Sequence, residues 1–301
     1  MCLRWLSGFL FLLLSLFTFS LPSLAFTIEA RSAVLMDATT GQVLYRQNEN
    51  ERLPPASVTK VMTMLLIMEA LEKNQIRWDT PITTTATAAG MGGSQVYLKE
   101  GEQFSLRDMF KAIAIVSAND ASTAVAEYLY GSVTDFIDAM NKKAQTLGLE
   151  NTHFANETGL PEQGHFSSAY DLAVLSRELI KYPEVLKFTA VWLDSFREGK
   201  FVLRNTNELI KVYEYADGLK TGFTEEAGYC LSATAKKDGF RLISVILGTK
   251  SNTARVRESK RLLEYGYRTF ERKVLYQKGA EVGEVFIEEA KPQKIPVKVK
   301  S

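Results

Sequence analysis

The sequence predicts an α+β fold in which helices pack against an antiparallel β-sheet. Three observations carry that expectation. Strand-like runs collect at the two ends of a long helical block instead of alternating with helices one by one. Short turns join those runs, which suits antiparallel pairs and excludes the long crossovers that parallel pairs need. A chain of 301 residues, 46% of them hydrophobic, can also bury a sizeable core.

Residues 1–25 precede the fold. After Arg4 no charged residue appears until Glu29, and Leu and Phe dominate the stretch 6–19. A basic start, an apolar run and the small-x-small end Ser23-Leu-Ala25 predict a secretory signal peptide cleaved after Ala25. Pro22 breaks the run just before that end. An uncleaved anchor is the alternative, because the uncharged stretch is long enough to span a bilayer. Cys2 stands before the apolar run, so it does not read as a lipoprotein acceptor.

The elements follow in order. Ala33-Val-Leu-Met-Asp37 and Gln42-Val-Leu-Tyr-Arg46, separated by Ala-Thr-Thr-Gly, predict a β-hairpin. Ser57 to Glu72 holds strong helix formers with almost no polar face after Lys60, which predicts a buried helix. The Thr-rich stretch 80–87 reads as extended, and 90–94 (Gly-Met-Gly-Gly-Ser) as a loop. Ser105 caps a predicted helix through Ile115, and further helices are predicted over 120–130, 133–147, 168–180 and 183–190. Strands are predicted at 218–221, 229–235 and 242–247, with Lys236-Lys-Asp-Gly239 as a hairpin turn. A basic amphipathic helix spans 252–270, and the last 29 residues, rich in Lys and Pro, read as short strand-like pieces.

Composition narrows the chemistry. Lys and Arg number 36 against 35 Asp and Glu, so no overall basic field exists to hold a nucleic-acid backbone. Two cysteines, Cys2 and Cys230, exclude a disulfide framework or a cysteine-rich zinc site. His153 and His165 lie outside any H-E-x-x-H pattern, which argues against a histidine-based metalloenzyme. Chemistry by Ser, Thr, Lys, Asp, Glu, Asn or Arg remains.

Three short motifs stand out in that set. In Ser57-Val-Thr-Lys60, prolines 54 and 55 place Ser57 at a helix start, and the i, i+3 spacing lets the Lys60 amine approach its hydroxyl. A desolvated lysine can lose its proton near neutral pH and serve as the base that a serine nucleophile needs. Alone, the pattern can also be a helix cap with an incidental lysine. Ser117-Ala-Asn119 offers a hydroxyl to relay protons and an amide to orient partners, or it is plain helix capping. Lys220-Thr-Gly222 offers a charge, a hydroxyl donor and a bare backbone whose N–H groups can face a bound carbonyl, or it is a strand end entering a turn.

Together, once each and in this order, the three are the signature of penicillin-binding proteins and class A β-lactamases. The chain resembles the D-alanyl-D-alanine carboxypeptidases, low-molecular-mass penicillin-binding proteins, most closely their sporulation-type group. The resemblance runs from about Ala33 to Phe270 and includes LMDATTGQVLY, LPPASVTKVMT, NTHFANETGLP, GHFSSAYDLA, DGLKTGFTEEAGYC and RLISVILGT.

The resemblance implies a β-lactamase/transpeptidase-like fold, with helices on both sides of the sheet and a helical subdomain. It implies a catalytic domain over 26–272, with 273–301 as the start of a truncated small C-terminal β domain. The family's terminal amphipathic membrane-binding helix is not found here, so membrane contact stays open. Ser57 is the expected acylated nucleophile and Lys60 the base. Ser117 is expected to pass the proton to the leaving amine and Asn119 to position substrate. Lys220 would add electrostatic stabilisation, and Thr221 would bind the substrate carboxylate. Backbone N–H groups of Ser57 and of Phe223, the residue after Gly222, would form the oxyanion hole. Arg255 is the expected partner of the terminal carboxylate, with Arg257 as its rival. The loop containing Gly92-Gly-Ser94 would border the site, and His153 and His165 would be structural.

The implied reaction removes the terminal D-alanine of peptidoglycan stem peptides outside the cytoplasmic membrane, without metal or cofactor, and β-lactams would trap its acyl-enzyme. Two alternatives share the fold. A class A-like β-lactamase needs Glu-x-x-x-Asn between the second and third motifs, and Glu150 and Glu157 are instead followed four places on by Phe154 and Pro161. A non-catalytic penicillin-binding sensor would not need the Ser57–Lys60 pair.

Overall fold

The computed structural model describes residues 26–277, 279–289 and 291–300, so the expected signal peptide lies outside the described residues. The N-terminal hairpin forms as β1 (Ser32–Asp37) and β2 (Val43–Gln47). Asp37 closes it, accepting from the Thr39 backbone N–H at 2.8 Å and the Thr40 hydroxyl at 2.7 Å. A 3₁₀ turn, Ala56–Thr59, leads into α1 (Lys60–Glu72). The sequence reading starts one helix at Ser57; the α-helix proper begins at Lys60, because Ala56 and the turn behind it are held by groups distant in sequence. Every residue from Lys60 to Met68 is buried, which is why α1 shows no polar stripe.

The Thr-rich stretch is only partly extended. It forms β3 (Pro81–Thr83), then turns into α2 (Ala86–Ala89), where the Thr85 hydroxyl caps the first turn by accepting from Ala88 N–H. After the expected loop, β4 (Gln103–Ser105) pairs with β3. Then come α3 (Leu106–Val116), α4 (Asn119–Tyr130), α5 (Val133–Thr146) and α6 (Ala169–Leu179). Ser105, Ser132 and Ser168 cap three of these, their hydroxyls accepting from Asp108, Asp135 and Asp171 N–H, and the same aspartates place negative charge in each first turn. The predicted helix at 183–190 is a 3₁₀ turn followed by α7 (Leu186–Thr189). A hairpin of β5 (Leu193–Phe196) and β6 (Phe201–Arg204), and the short α8 (Leu209–Val212), precede the main sheet strands.

Those strands, β7 (Ala216–Thr224), β8 (Gly228–Lys237) and β9 (Phe240–Thr249), run antiparallel. Asp238 and Gly239, both at positive φ, make the β8–β9 turn. β9 also pairs with β1, giving the sheet order β2-β1-β9-β8-β7. α9 (Asn252–Thr269) follows, and β10 (Glu281–Phe286) pairs with β11 (Lys294–Lys298) in a separate, wholly exposed hairpin. Among the described residues, no helix is long and apolar enough to cross a membrane.

Alternation along each strand feeds two cores. Val34, Met36, Ile243 and Val245 face the helical block containing α1, α3, α4 and α6. Ala33, Leu35, Leu242 and Ile246 face Leu262 and Leu263 of α9 on the other side. Each fully buried leucine is worth about 1.5–3 kcal/mol. Helices thus cover both faces of an antiparallel sheet, as the sequence predicts, and β7 lies at the edge where sheet and helical block meet.

Candidate active site

The 3₁₀ turn brings the first motif together. Residues three apart eclipse in that geometry, so the Lys60 ammonium reaches Ser57 Oγ at 3.1 Å. Lys60 is fully buried and donates two further bonds, to Asn119 Oδ1 at 2.6 Å and to the Thr158 carbonyl at 2.7 Å. Burial pushes its pKa down to about 7, against the opposing pull of the Glu157 and Asp120 carboxylates. Three chain segments distant in sequence therefore orient one amine beside one hydroxyl.

The second motif spans a helix break. Ser117 ends α3 in the left-handed conformation, φ 66°, and Asn119 opens α4. Its capping role does not hold: no side chain caps α4, and the Ser117 hydroxyl is buried without a hydrogen-bond partner. Asn119 instead joins the two sides of the site. Its Nδ2 donates to the Gly92 carbonyl at 2.7 Å while its backbone N–H donates to the Ser94 carbonyl at 2.7 Å, so the glycine-rich loop does border the site.

The third motif lies on β7. Lys220 is buried, donates to the Thr221 carbonyl at 2.9 Å, and is held well below the ordinary lysine range by burial and by the charges of Lys60 and Arg255. The Thr221 and Thr206 hydroxyls are 2.6 Å apart. Gly222 has a reason the sequence reading did not give. A Cβ there would lie 2.6 Å from the Pro55 carbonyl and 3.1 Å from Ser57 N, so the missing side chain lets β7 lie against the serine turn. Phe223, half exposed, stacks on Tyr229 with ring centroids 4.3 Å apart.

Arg255 and Arg257 part company on α9. Two residues turn a helix by about 200°, which sends the two side chains to opposite faces. Arg255 is buried and donates through Nη1 to the Gly222 and Cys230 carbonyls at 3.1 and 3.3 Å and through Nη2 to Asn252 Oδ1. Its Nε–H has no partner. Arg257 is half exposed and pairs with Glu29 and Glu258.

Comparison with known proteins identifies this constellation. The sequence profile of D-alanyl-D-alanine carboxypeptidase matches residues 18–251. The chain belongs to the D-alanyl-D-alanine carboxypeptidase family. The carboxypeptidase DacF of Bacillus subtilis is 49% identical over 266 residues, covering 87% of this chain and 68% of that protein. DacC of Escherichia coli is 40% identical, with 81% of this chain and 63% of that protein covered. The chain thus spans about two thirds of the length of these relatives. Penicillin binding protein 5 from Haemophilus influenzae superposes with a TM-score of 0.86 at 33% identity, over 91% of this chain and 80% of that one. Penicillin-binding protein D2 from Listeria monocytogenes, in its ampicillin-bound form, gives 0.73 at 34% identity, over 80% of this chain and 98% of that one.

Within this family framework, three residues that no motif marked support the site. Asp120, next to Asn119, accepts from Val96 and Leu98 N–H at 3.1 and 3.0 Å and so fixes the loop beyond Ser94. His165 Nδ1 accepts from Ala155 N–H at 3.0 Å, which leaves Nε2 to donate to the Thr59 hydroxyl at 2.7 Å. Thr59 in turn donates to the Ala56 carbonyl at 2.8 Å. The third is Glu157, buried near Lys60. The His153 ring lies away from the motif residues, its Nδ1 bonded to the Gly164 carbonyl at 2.8 Å. Among the described residues, no group of three His, Cys, Asp or Glu could hold a metal ion.

Proposed function

We propose that the protein is a serine D,D-carboxypeptidase that removes the terminal D-alanine from peptidoglycan stem peptides through an acyl-enzyme on Ser57. The observation that carries this reading is the 3.1 Å approach of a buried lysine, its pKa near 7, to the Ser57 hydroxyl. A base with a pKa near working pH is the most effective proton acceptor.

Neutral Lys60 takes the Ser57 proton as the oxygen attacks the carbonyl of the penultimate D-alanine. Backbone N–H groups of Ser57 and Phe223 receive the oxyanion, and Lys220 adds positive charge beside it. Ser117, whose hydroxyl has no other partner, hands the proton to the leaving amine of D-alanine. Asn119 orients Lys60 and the substrate, and Gly222 permits the close approach. Thr221 and Arg255 hold the terminal carboxylate. Water then releases the shortened peptide and restores Ser57, a sequence that balances as proton and acyl transfer without a cofactor. β-Lactams acylate the same serine, a reading supported by the ampicillin-bound relative.

We place this chemistry outside the cytoplasmic membrane, with residues 1–25 as the cleaved signal peptide, on the strength of the apolar run after Arg4. Residues 26–272 are the catalytic unit and 273–301 the start of a small C-terminal β domain, supported by the exposed, separate hairpin of β10 and β11. The test is incubation with a fluorescent penicillin and mass mapping of the labelled residue, alongside D-alanine release from a peptide ending in D-Ala-D-Ala. A single label on Ser57, absent in Ser57→Ala, supports the reading; label elsewhere, or no D-alanine, overturns it.

A further inference from the structure

One buried acid beside Lys60 is left idle by these steps. Glu157 is 2% exposed, in an interior where carboxylates are rare unless partnered. Two contacts wedge it between the helices that carry the site. The Thr123 hydroxyl on α4 donates to Glu157 Oε1 at 2.5 Å, and the Thr63 hydroxyl on α1 donates to the Glu157 carbonyl at 2.8 Å. Thr123 lies four residues after Asn119, and Thr63 three after Lys60. Each therefore sits one turn deeper on the same helix face as a partner in the Lys60–Asn119 bond. The next residue, Thr158, gives its carbonyl to the Lys60 ammonium. Glu157 itself is not among the three hydrogen-bond acceptors of that ammonium.

We propose that Glu157 is a positioning residue, an internal counter-charge that raises the proton affinity of Lys60 and so sets the pH at which Ser57 is activated. This rests on Lys60 acting as the base. Burial presses Lys60 toward its neutral form, and a lysine pressed too far accepts a proton weakly. A carboxylate one turn below restores part of that affinity. Other charged and titratable groups also face Lys60. Asp120 on α4 pulls in the same sense but more weakly, while it accepts from the Val96, Leu98 and Ala121 amides, and the buried Lys220 on β7 is itself pushed toward its neutral form by burial and by Lys60. His165, from the same segment as Glu157, is held neutral by burial down to about pH 4. Of the two charges that offset burial of Lys60, Glu157 is the larger.

The experiment measures the second-order rate constant for acylation of Ser57 by a penicillin from pH 5 to 9. It compares wild type, Glu157→Gln, which keeps an oxygen for Thr123, and the near-isosteric Thr123→Val, which withdraws the donor that stabilises the carboxylate. At an effective dielectric of about 20, one unit charge a few ångströms from another moves its pKa by roughly 1–2 units. The acid limb of Glu157→Gln should fall by that amount, so that the variant outpaces wild type at low pH while its high-pH plateau drops several-fold. Thr123→Val should move the limb the same way by less, and it carries the test alone if Glu157→Gln does not fold. A purely structural Glu157 would lower the plateau without moving the limb, and that result overturns the proposal. Failure of wild type to label at Ser57, or a wild-type rate without an acid limb, would instead overturn the assignment of Lys60 as base.

Discussion

Gly159 and Ala56 meet so closely that position 159 can carry no side chain: a Cβ there would lie 1.9 Å from the Ala56 carbonyl oxygen. Both stand at positive φ, 83° for Gly159 and 47° for Ala56. Glycine adopts that conformation freely, whereas alanine pays about 1–2 kcal/mol for it. The strain at Ala56 persists because its carbonyl is held between the Thr59 hydroxyl and Gly159, and the turn so fixed is the one that presents Ser57 to Lys60.

Gly159→Ala should therefore displace the serine turn. A misplacement of about 1 Å can cost on the order of a hundredfold in rate. The expected result is penicillin acylation reduced by at least that factor, with a lower melting temperature. Acylation within a few-fold of wild type would show that the turn keeps its shape without Gly159.

His165 ties the same turn down from the other side and should leave a signature in the acid stability of the protein. Burial lowers its pKa from 6.5 to about 4, with the charges of His153 and Lys60 adding to the effect. Between those values the unfolded chain binds a proton that the folded chain does not, so stability falls as pH falls through that window and is unaffected above 6.5. At 1.36 kcal/mol per unit the loss amounts to about 3 kcal/mol by pH 4. His165→Gln removes this dependence. Denaturant melts at pH 7, 5.5 and 4 should show the gap between wild type and variant changing by about that amount; parallel curves would exclude a buried neutral histidine.

Lys60 makes a sharper test, because arginine keeps the charge and cannot lose the proton. General-base assistance is worth roughly 10²–10⁴-fold, and Lys60→Arg should lose about that much in acylation. In wild type the neutral amine is the working form, so below a pKa of about 7 the rate should fall tenfold per pH unit. A Lys60→Arg enzyme within a few-fold of wild type would reduce Lys60 to an electrostatic partner.

Local signals made much of this fold legible in the sequence. Ser105 marked a helix start because a cap is decided within four residues, and the helices capped by Ser132 and Ser168 were read to within a residue or two of their starts. Apolar-rich runs and short turns marked β1, β2 and β7 to β9. The hairpin β5–β6 was not legible, because short strands exposing Leu193 and Val202 carry no alternating pattern. The motif residues of the site were readable as types at spacings, but the contacts that shape it were not. Thr59 and His165 are 106 residues apart, Lys60 and Thr158 are 98 apart, and nothing local to either partner announces the other. Gly222 and Glu157 show the same limit, since each is explained by what packs against it.

Arg255 faces a parallel test at the carboxylate end of the substrate. Burial lowers Arg255 to about 10, which leaves it a cation at neutral pH, and its Nε–H is unpaired beside the Lys-Thr-Gly strand. If it grips the terminal carboxylate, wild type should release D-alanine from a peptide ending in D-Ala-D-Ala and leave the C-terminal amide essentially untouched. A charge-assisted bond is worth about 1.5–3 kcal/mol, so Arg255→Ala should lower turnover of the acid roughly ten- to over a hundredfold. Because Arg255 also holds the Gly222 carbonyl, a second outcome has to be distinguished. An arginine that only braces β7 would, on removal, slow penicillin acylation and acid turnover by the same factor and leave the acid-to-amide preference intact. One that reads the carboxylate would, on removal, erase that preference. Arg257→Ala, stripped of a half-exposed side chain paired with Glu29 and Glu258, should change neither number. Equal turnover of acid and amide by wild type would mean that no carboxyl terminus is read, and the enzyme would then be an endopeptidase.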